Sequence, residues 1–363
     1  MHVAIIIDDE RLACEQAMVN RLCIGLIGES VQVTRIVPDS QPPDALDEAE
    51  KRMALATRLG APMHVLPWMR SHRSGQLALA MERSLPDVLY AVGVRAWGLG
   101  MDLARAIERP LLLDVCNQRQ VEQAPLGRRG AHVTGYVVPT RDLAGKLGQR
   151  VGAELVSLVP LGVSATARPH EDDDEGDSDE DHVLTLAVLG ESRDVAAYRA
   201  MLGGLSRVAR EQPGMQIIME LHGPHEHEIW RQVQRLDLLG FVSSIADFGN
   251  YRSLLAGCDI VLVPERFGDL RSVILEAMGH GAALVVSEES ALDVFVSGET
   301  ALFVRYAETD DWGQAVLKLA GDSAERVRLG EAARRLVLAR HRSSDQVSGL
   351  LVRVERALWG GGL

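Results

Sequence analysis

The sequence predicts an α/β protein with two doubly wound, mostly parallel sheets, one in each half of the chain. Three observations predict this fold class. Segments such as "VAIIID" and "DIVLVPE" are apolar at consecutive positions, as in strands that helices cover on both faces. These segments alternate with stretches of helical periodicity, which indicates parallel strand–helix units. The alternation occurs twice, once on each side of the acidic stretch 171–181.

The composition is typical of a globular protein with room for two domains. The chain has 363 residues, of which 47% are hydrophobic and 25% charged. No apolar run approaches the roughly 18–20 residues of a membrane-spanning helix, and a peripheral membrane contact is left open. The four cysteines are scattered, which predicts reduced, buried thiols and a cytoplasmic protein; they are Cys14, Cys23, Cys116 and Cys258.

The acidity of the chain is concentrated in one stretch. Residues 171–181, "EDDDEGDSDED", contain nine acids and no base, whereas the net charge of the whole chain is −13. A run of this kind repels itself and stays solvated, which predicts a disordered linker over 166–182. A segment that binds cations or a partner is the less favoured alternative. The excess of acids also disfavours a nucleic-acid-binding surface.

The first half, 1–165, begins with the strand "VAIIID" and an amphipathic helix over 10–28, whose apolar residues recur at helical spacing. The strand "VQVTRIV", a helix over 44–59 and the strand "MHVLPW" are expected next. Helices near 75–84 and 95–107 flank the strand "DVLYAVG". The half ends with the strands "PLLLDV", "HVTGYVVP" and "LVSLVPLGV", and the helix "TRDLAGKLGQRV" joins the last two.

The second half, 183–345, repeats this alternation without repeating the residues. Its expected strands are "VLTLAVLG", "MQIIMELHG", "FVSSIADF", "DIVLVPE", "AALVVSE" and "ALFVRY". After residue 309 the pattern is helical to the end of the chain, and Asp322 with Glu325 predicts a capping box at one helix start. A last helix is expected over 346–363.

Three segments of the second half resemble the retaining glycosyltransferases of the group 1 or family 4 type. "LLAGCDIVLVPE" is similar to the strand that leads into their donor loop, which usually ends in Pro-Ser. "VILEAMGHGAALVVSE" and "VSGETALFV" are similar to the segments that follow it. The resemblance implies the GT-B architecture, in which two Rossmann-like domains face each other across a cleft. It also implies that the last helix folds back on the first domain.

The resemblance implies that a nucleotide-sugar binds to the second domain through two Glu residues eight positions apart. Glu276 matches the second Glu, whose carboxylate accepts hydrogen bonds from the ribose. Gly268 stands where the first Glu, next to the sugar, is expected. Either Glu265 keeps the catalytic role after a three-residue insertion, or Asp269 has taken it over. Asp269 is equally well explained as a helix N-cap, and Glu276 as a solvated helix residue is the less favoured alternative.

The cations that hold the donor diphosphate also depart from the family pattern, so that the donor motif is degenerate. Gly190 matches, Arg193 lies nearby, and the expected Lys is missing. Arg193 and Arg271 together are the candidates to replace the clamp, although each is about equally well explained as a surface residue. Gly223, in the turn after the second strand, is expected to line the nucleotide.

The acceptor side is defined by position alone. Asp8, Gly93 and Arg95 follow the strands "VAIIID" and "DVLYAVG", so we expect them near the acceptor; Asp9 belongs to the same loop. Trp97 is a candidate to stack on a sugar ring, and a core position explains it at least as well.

The implied function is transfer of a sugar, of the hexosyltransferase kind, from a nucleotide-diphosphate donor to an unknown acceptor with retention. No cofactor and no metal are expected; His222, His225 and His227 have metal-ligand chemistry but are better explained as polar residues at a helix start. A catalytically inactive binding or scaffold protein of the same fold is the alternative, because the Lys is missing, the first Glu is displaced, and Val92 stands where the family often has a His. A nucleotide-sugar epimerase has no support from particular residues.

Overall fold

The computed structural model separates the chain into two compact units. The first contains Met1–Gly162 and Ser343–Leu363, and the second contains Val163–Arg342. The structure describes residues 1–41, 55–126, 132–164, 183–246, 252–266, 270–289 and 292–359. The expected linker 166–182 and the acidic stretch within it therefore lie outside the described residues.

The first unit contains a seven-stranded sheet in which every described pairing is parallel. The order of the strands across the sheet is β3-β2-β1-β4-β5-β6-β7. This order arises because the chain starts at the middle of the sheet and winds outward in both directions. The strands are β1 (His2–Ile7), β2 (Gln32–Pro38), β3 (Ala56–Ala61), β4 (Val88–Val92), β5 (Leu111–Asp114), β6 (Val133–Val138) and β7 (Val156–Leu158).

Helices cover this sheet and leave the central strands fully buried. Each helix begins after the carboxyl end of the strand that precedes it in the chain. The expected positions of most of these helices agree with the structure. Their bounds are α1 (Asp9–Gly28), α2 (Arg70–Ala80), α3 (Val94–Ile107), α4 (Gln118–Gln123) and α5 (Arg141–Val151).

The second unit contains a six-stranded parallel sheet with the order β10-β9-β8-β11-β12-β13. Its strands are β8 (Thr185–Val188), β9 (Gln216–Glu220), β10 (Val242–Ile245), β11 (Ile260–Val263), β12 (Ala283–Ser287) and β13 (Leu302–Val304). Its helices are α6 (Val195–Glu211), α7 (Glu226–Arg235), α8 (Ser272–Gly279), α9 (Thr309–Gly321) and α10 (Ser323–Arg340). Its core consists largely of Leu, Val, Ile, Ala and Met, with Trp312 completely buried.

Two expected elements in the first half are wrong. The expected helix over 44–59 is contradicted at its end, because 56–59 belong to β3, which pairs with β2 from Val33 onward. The expected strand "MHVLPW" is instead a loop that ends in a 3₁₀ turn at Pro67–Met69. Pro67 lacks an amide hydrogen for a strand ladder, and this segment lies outside the sheet, whose edge is formed by β3.

The last helix, α11 (Ser343–Trp359), belongs to the first unit although it ends the chain. It packs on α1 and reaches β4, β5 and β6. The Gly162 amide donates to Gln346 Oε1 at 3.0 Å and ties the helix to the end of the first segment. The units therefore divide at 162/163 and 342/343, a few residues before the expected boundaries at 165 and 345.

Other sequence expectations concern membranes and thiols. Within the described part of the chain, no helix is long and apolar enough to cross a membrane. Cys23, Cys116 and Cys258 are buried, as expected, whereas Cys14 is only partly buried. Burial raises the pKa of the Cys258 thiol to about 12, so it stays protonated at neutral pH.

Candidate functional site

The candidate site of the second unit lies at the carboxyl ends of its central strands. β8 has β9 on one side and β11 on the other. Gly190 and Arg193 belong to the loop after β8, β9 ends at Glu220, and Glu265 follows β11 by two residues. Ligands of open parallel sheets bind beyond these strand ends, so the charges here are placed where a ligand is expected.

Arg271, a candidate for the diphosphate clamp, forms an ion pair inside the protein. It precedes the first turn of α8, and its guanidinium donates to both carboxylate oxygens of Glu220, at 2.5 and 2.8 Å. Both side chains are almost completely buried, at 3% and 0% exposure. Burial opposes the ionisation of Glu220, but the attraction and hydrogen bonds of Arg271 outweigh it and lower the pKa of Glu220 below its ordinary value.

Glu265 is hydrogen-bonded to the loop that follows β8. Its two carboxylate oxygens accept from the backbone amides of Glu191, at 3.0 Å, and Arg193, at 2.6 Å. The residue is 6% exposed. Burial raises the pKa of Glu265, and the two amides oppose this effect only in part. A carboxylate held in this way fixes the loop; its expected contact with a sugar stays a prediction.

Arg193 lies on the accessible side of the same loop. Its Nε donates to Glu191 at 2.5 Å, and 39% of its side chain is exposed. Gly223, in the turn after β9, packs against the carbonyl of Glu191 and has a φ of +101°, which favours glycine. The structure thus brings Gly190, Arg193 and Gly223 together, as a shared nucleotide site requires.

Glu276 is buried on α8 and pairs with Arg252. The guanidinium of Arg252 contacts the Glu276 carboxylate and also donates to Ser272 Oγ at 3.1 Å. Glu276 is 6% exposed, so the alternative of a solvated helix face is wrong. A buried carboxylate needs a partner, and no sequence pattern indicated that Arg252 provides it.

The structure adds Arg266, which sequence reasoning missed. Its guanidinium donates to Asp194 at 2.7 Å, lies 3.6 Å from Glu289 and stacks over the ring of Tyr306 at 4.0 Å. Its position directly after Glu265 was the available signal. Gly268 and Asp269, which carry the other explanation of the donor motif, lie outside the described residues.

The histidines after β9 do not converge on one point. His222 Nδ1 lies 4.0 Å from Glu220, His225 Nδ1 lies 3.9 Å from Glu228, and His227 Nε2 lies 3.8 Å from Glu226. Throughout the described ranges, no group of three or more His, Cys, Asp or Glu side chains is placed to hold a metal ion.

In the first unit, Asp8 joins the carboxyl ends of β1 and β4. It is 2% exposed, and it accepts from the Arg11 amide at 2.8 Å and the Arg95 amide at 3.0 Å. Gly93 has a φ of +94°, and a Cβ there would overlap the Asp8 carboxylate. Asp8, Gly93 and Arg95 are therefore brought together, with Asp8 acting as a structural link. Burial raises the pKa of Asp8.

Arg95 and Asp9 present exposed charge at this edge, as an ion pair of 2.7 Å whose side chains are both 44% exposed. Behind them lies a buried polar cluster that the sequence did not predict, in which Tyr90 donates to Asp114 at 2.9 Å. Trp97 is 3% exposed and donates to the Asp114 carbonyl at 3.2 Å, so its core position is confirmed and stacking on a sugar is excluded in this conformation.

Comparison with protein families finds a match within the second unit. Residues 182–322 match the family described as "Glycosyl transferases group 1", a range that includes Gly190, Glu220, Glu265 and Glu276. This part of the chain is therefore similar to group 1 glycosyltransferases. The comparison with curated protein sequences finds no match.

Solved glycosyltransferase structures share the fold of the whole chain. HepE from Anabaena, in complex with UDP and glucose, has a TM-score of 0.75 at 13% identity, over 97% of this chain and 99% of HepE. Sucrose-phosphate synthase from Thermosynechococcus elongatus has a TM-score of 0.76 at 13% identity, over 100% of both chains. A glycosyltransferase from Rickettsia africae has a TM-score of 0.73 at 12% identity, over 99% of both chains. The expected GT-B fold is confirmed.

The second unit has a candidate donor site whose charges are largely neutralised within the protein. Arg271 pairs with Glu220, Arg252 with Glu276, and Arg193 with Glu191. Among these three arginines, Arg193 has the most exposed side chain, at 39% against 3% for Arg271 and 18% for Arg252. A ligand that reaches this edge therefore meets Arg193 before the buried pairs.

Proposed function

We propose that the chain transfers a sugar from a nucleotide-diphosphate donor to an acceptor, with retention of configuration at the sugar. The observation that carries the proposal is the position of Glu276, which lies within the matched family region, buried on α8 at the carboxyl edge of the sheet. HepE, which shares the fold, has been crystallised with UDP-glucose. UDP-sugars are therefore the first donors to test.

In this proposal, Glu276 accepts hydrogen bonds from the ribose, and Arg252 holds its carboxylate in place. The diphosphate lies near the amides at the start of α8, where the helix dipole favours an anion. Arg193 exchanges its partner Glu191 for the diphosphate, a charge-assisted contact. Catalysis consists mainly of electrostatic stabilisation of the departing diphosphate, without a metal or other cofactor.

The acceptor is proposed to bind to the first unit, at the edge formed by Asp8, Gly93 and Arg95. Asp8 accepts hydrogen bonds from the amides of Arg11 and Arg95, so its role is to hold the backbone of this edge in place. The exposed Arg95–Asp9 pair offers both a donor and an acceptor of hydrogen bonds. Such a pair suits a polyhydroxylated acceptor, which both donates and accepts hydrogen bonds.

A binding or scaffold protein without activity is the second candidate, and the Arg271–Glu220 pair favours it. A cation that donates both hydrogen bonds to a buried carboxylate is a weak ligand for a diphosphate, since binding the diphosphate would take the Arg271 charge away from the buried Glu220. Gly268 in place of an acidic residue favours the same candidate.

A nucleotide-sugar panel tests the proposal. The melting temperature of the full chain is measured with millimolar UDP-, GDP- and ADP-sugars, with the matching nucleoside monophosphates as controls. A ligand at a hundredfold excess over its Kd stabilises the fold by about 2.7 kcal/mol, which is measurable as a shift of several degrees. No shift with any donor would refute both candidates as nucleotide-sugar binders. A shift without donor turnover in the presence of sugar and lipid acceptors would favour the scaffold.

A further inference from the structure

Two carboxylates from neighbouring strands hold the loop between β8 and α6. Glu220 accepts from the Gly190 amide at 3.1 Å. Glu265 accepts from the amides of Glu191 and Arg193 at 3.0 and 2.6 Å. Loop amides at the carboxyl end of the first strand of a doubly wound domain commonly bind ligand phosphates. Here they donate to side chains of the protein.

The backbone of this loop is strained at the residue between the two amides that donate hydrogen bonds to Glu265. Ser192 has a φ of +54° although it is not glycine, and it is completely buried. A left-handed residue turns the flanking amides toward the same side, where they form a concavity suited to an anion. Such a conformation persists only where the surroundings support it. The Glu265 carboxylate lies in this concavity and supplies that support.

We propose that Glu265 is a positioning residue that acts as an internal anion: it fills the concavity of the 191–193 amides and thereby orients Arg193 toward the donor diphosphate. The part that concerns the donor rests on the proposed function. The part that concerns the loop does not, because it follows from the two amide hydrogen bonds and the burial of Glu265.

This role differs from direct contact with the sugar in what it predicts for ligands. If the Glu265 carboxylate contacts the sugar, its substitution lowers the affinity for UDP-glucose and leaves the affinity for UDP unchanged. If it orients Arg193, its substitution lowers both affinities equally, because both ligands contain the diphosphate. The ratio of the two affinities therefore separates the roles.

The first test measures the loop without any ligand. Backbone amide hydrogen exchange of the full chain is compared for wild type, Glu265→Gln and Glu265→Ala, with a substitution at an exposed residue of the same unit, Glu299→Gln, as the matched control. Gln retains one acceptor oxygen and loses the other, so exchange in the 187–196 peptide should accelerate at least about tenfold in Glu265→Gln and more in Glu265→Ala. Wild-type exchange in Glu265→Gln would overturn the proposal, even if Glu265→Ala does not fold.

The second test measures binding of UDP and UDP-glucose by calorimetry, well below the melting temperature of each variant. Glu265→Gln should lower the affinities for UDP and for UDP-glucose by the same factor, about tenfold, as expected when Arg193 is no longer oriented. A loss confined to UDP-glucose would show direct sugar contact, and unchanged affinities would show that the loop does not serve the donor; either result overturns the proposal. If wild type binds neither UDP nor GDP and ADP analogues, the proposed function fails, while the exchange test still decides the role of Glu265 in the loop.

Discussion

Arg271 and Glu220 form a buried, bidentate ion pair that connects the start of α8 to the end of β9 across β8. The two hydrogen bonds measure 2.5 and 2.8 Å, and neither side chain is more than 3% exposed. The pair lies 51 residues apart in sequence. It therefore fixes the segment between β11 and α8 to β9, a strand that is distant in sequence.

Removing one member of this pair should be strongly destabilising. Glu220→Gln removes the carboxylate that accepts both hydrogen bonds of the buried Arg271 guanidinium, and breaking a buried ion pair in this way typically costs about 3–5 kcal/mol. Urea unfolding followed by circular dichroism measures this loss as a lower midpoint at an unchanged slope. The double variant Glu220→Gln/Arg271→Met removes both charges and should recover most of the loss. A double variant as unstable as the single one would contradict this explanation.

The same pair should be sensitive to acid. The pKa of Glu220 in the folded state lies below its ordinary value of 4.5, so the folded state binds this proton less readily than the unfolded state. The stabilisation by ionised Glu220 is therefore complete above pH 4.5 and is lost as the pH falls through the folded-state pKa. The difference in unfolding free energy between wild type and Glu220→Gln should therefore become smaller as the pH is lowered from 4.5 through the folded-state pKa of Glu220.

Glu265 provides the control of opposite sign. Its pKa in the folded state is raised above 4.5, so folding favours its protonated form. The stability of wild type relative to Glu265→Gln should therefore fall as the pH rises from 4.5 through the raised pKa, and stay constant above it. If the two variants showed pH dependence of the same sign, the environments assigned to the two carboxylates would be wrong.

The sequence predicted the strands that are buried on both faces, and it failed at the edge of the first sheet. In β1, β4 and β5, apolar residues follow one another without alternation, because helices cover both faces of these strands. This pattern is recognisable in the sequence. The edge strand β3, "ATRLGA", includes Arg58 and Gly60, so it has no apolar run to recognise. "MHVLPW" has the apolar run without the strand. Edge position depends on tertiary pairing, which local pattern does not contain.

The sequence predicted which loops contribute to the candidate site, but it did not predict which charged side chains form ion pairs there. The resemblance selected Gly190, Glu265 and Glu276 from loops and a helix that follow strands β8 and β11. It did not indicate Glu220 or Arg252, because the sheet order brings these partners together from positions 51 and 24 residues away from Arg271 and Glu276. The available signal was Glu220 itself, a charge at the end of the buried strand "QIIME", which requires a cation.

Glu276 should be required for binding of the nucleotide. Because a hydrogen bond to a charged group contributes about 1.5–3 kcal/mol, Glu276→Ala should weaken UDP binding about ten- to hundredfold. Calorimetry with UDP measures the change, with Glu299→Ala as the exposed control in the same unit. Arg252→Met separates the two roles of the pair: a purely structural Glu276 predicts equal losses in both variants, whereas ribose contact predicts a larger loss in Glu276→Ala. Unchanged UDP affinity in Glu276→Ala would refute the site assignment.

Gly135 should be essential for docking of the C-terminal helix. Arg353 on α11 is 4% exposed, donates to the Thr134 carbonyl, and lies directly over Gly135 in β6, where a Cβ would overlap its guanidinium. Gly135→Ala should therefore destabilise the first unit by about 1–3 kcal/mol, as overpacking does, and it should expose the 343–359 segment to limited proteolysis. Arg353→Met, with a flexible and uncharged side chain, should suppress the effect of Gly135→Ala in the double variant. The coupling energy of this cycle should be of the same order as the loss itself, because the two residues are in direct contact. Additive effects would mean that α11 is held at another point, with the Gln346 contact to Gly162 as the next position to test.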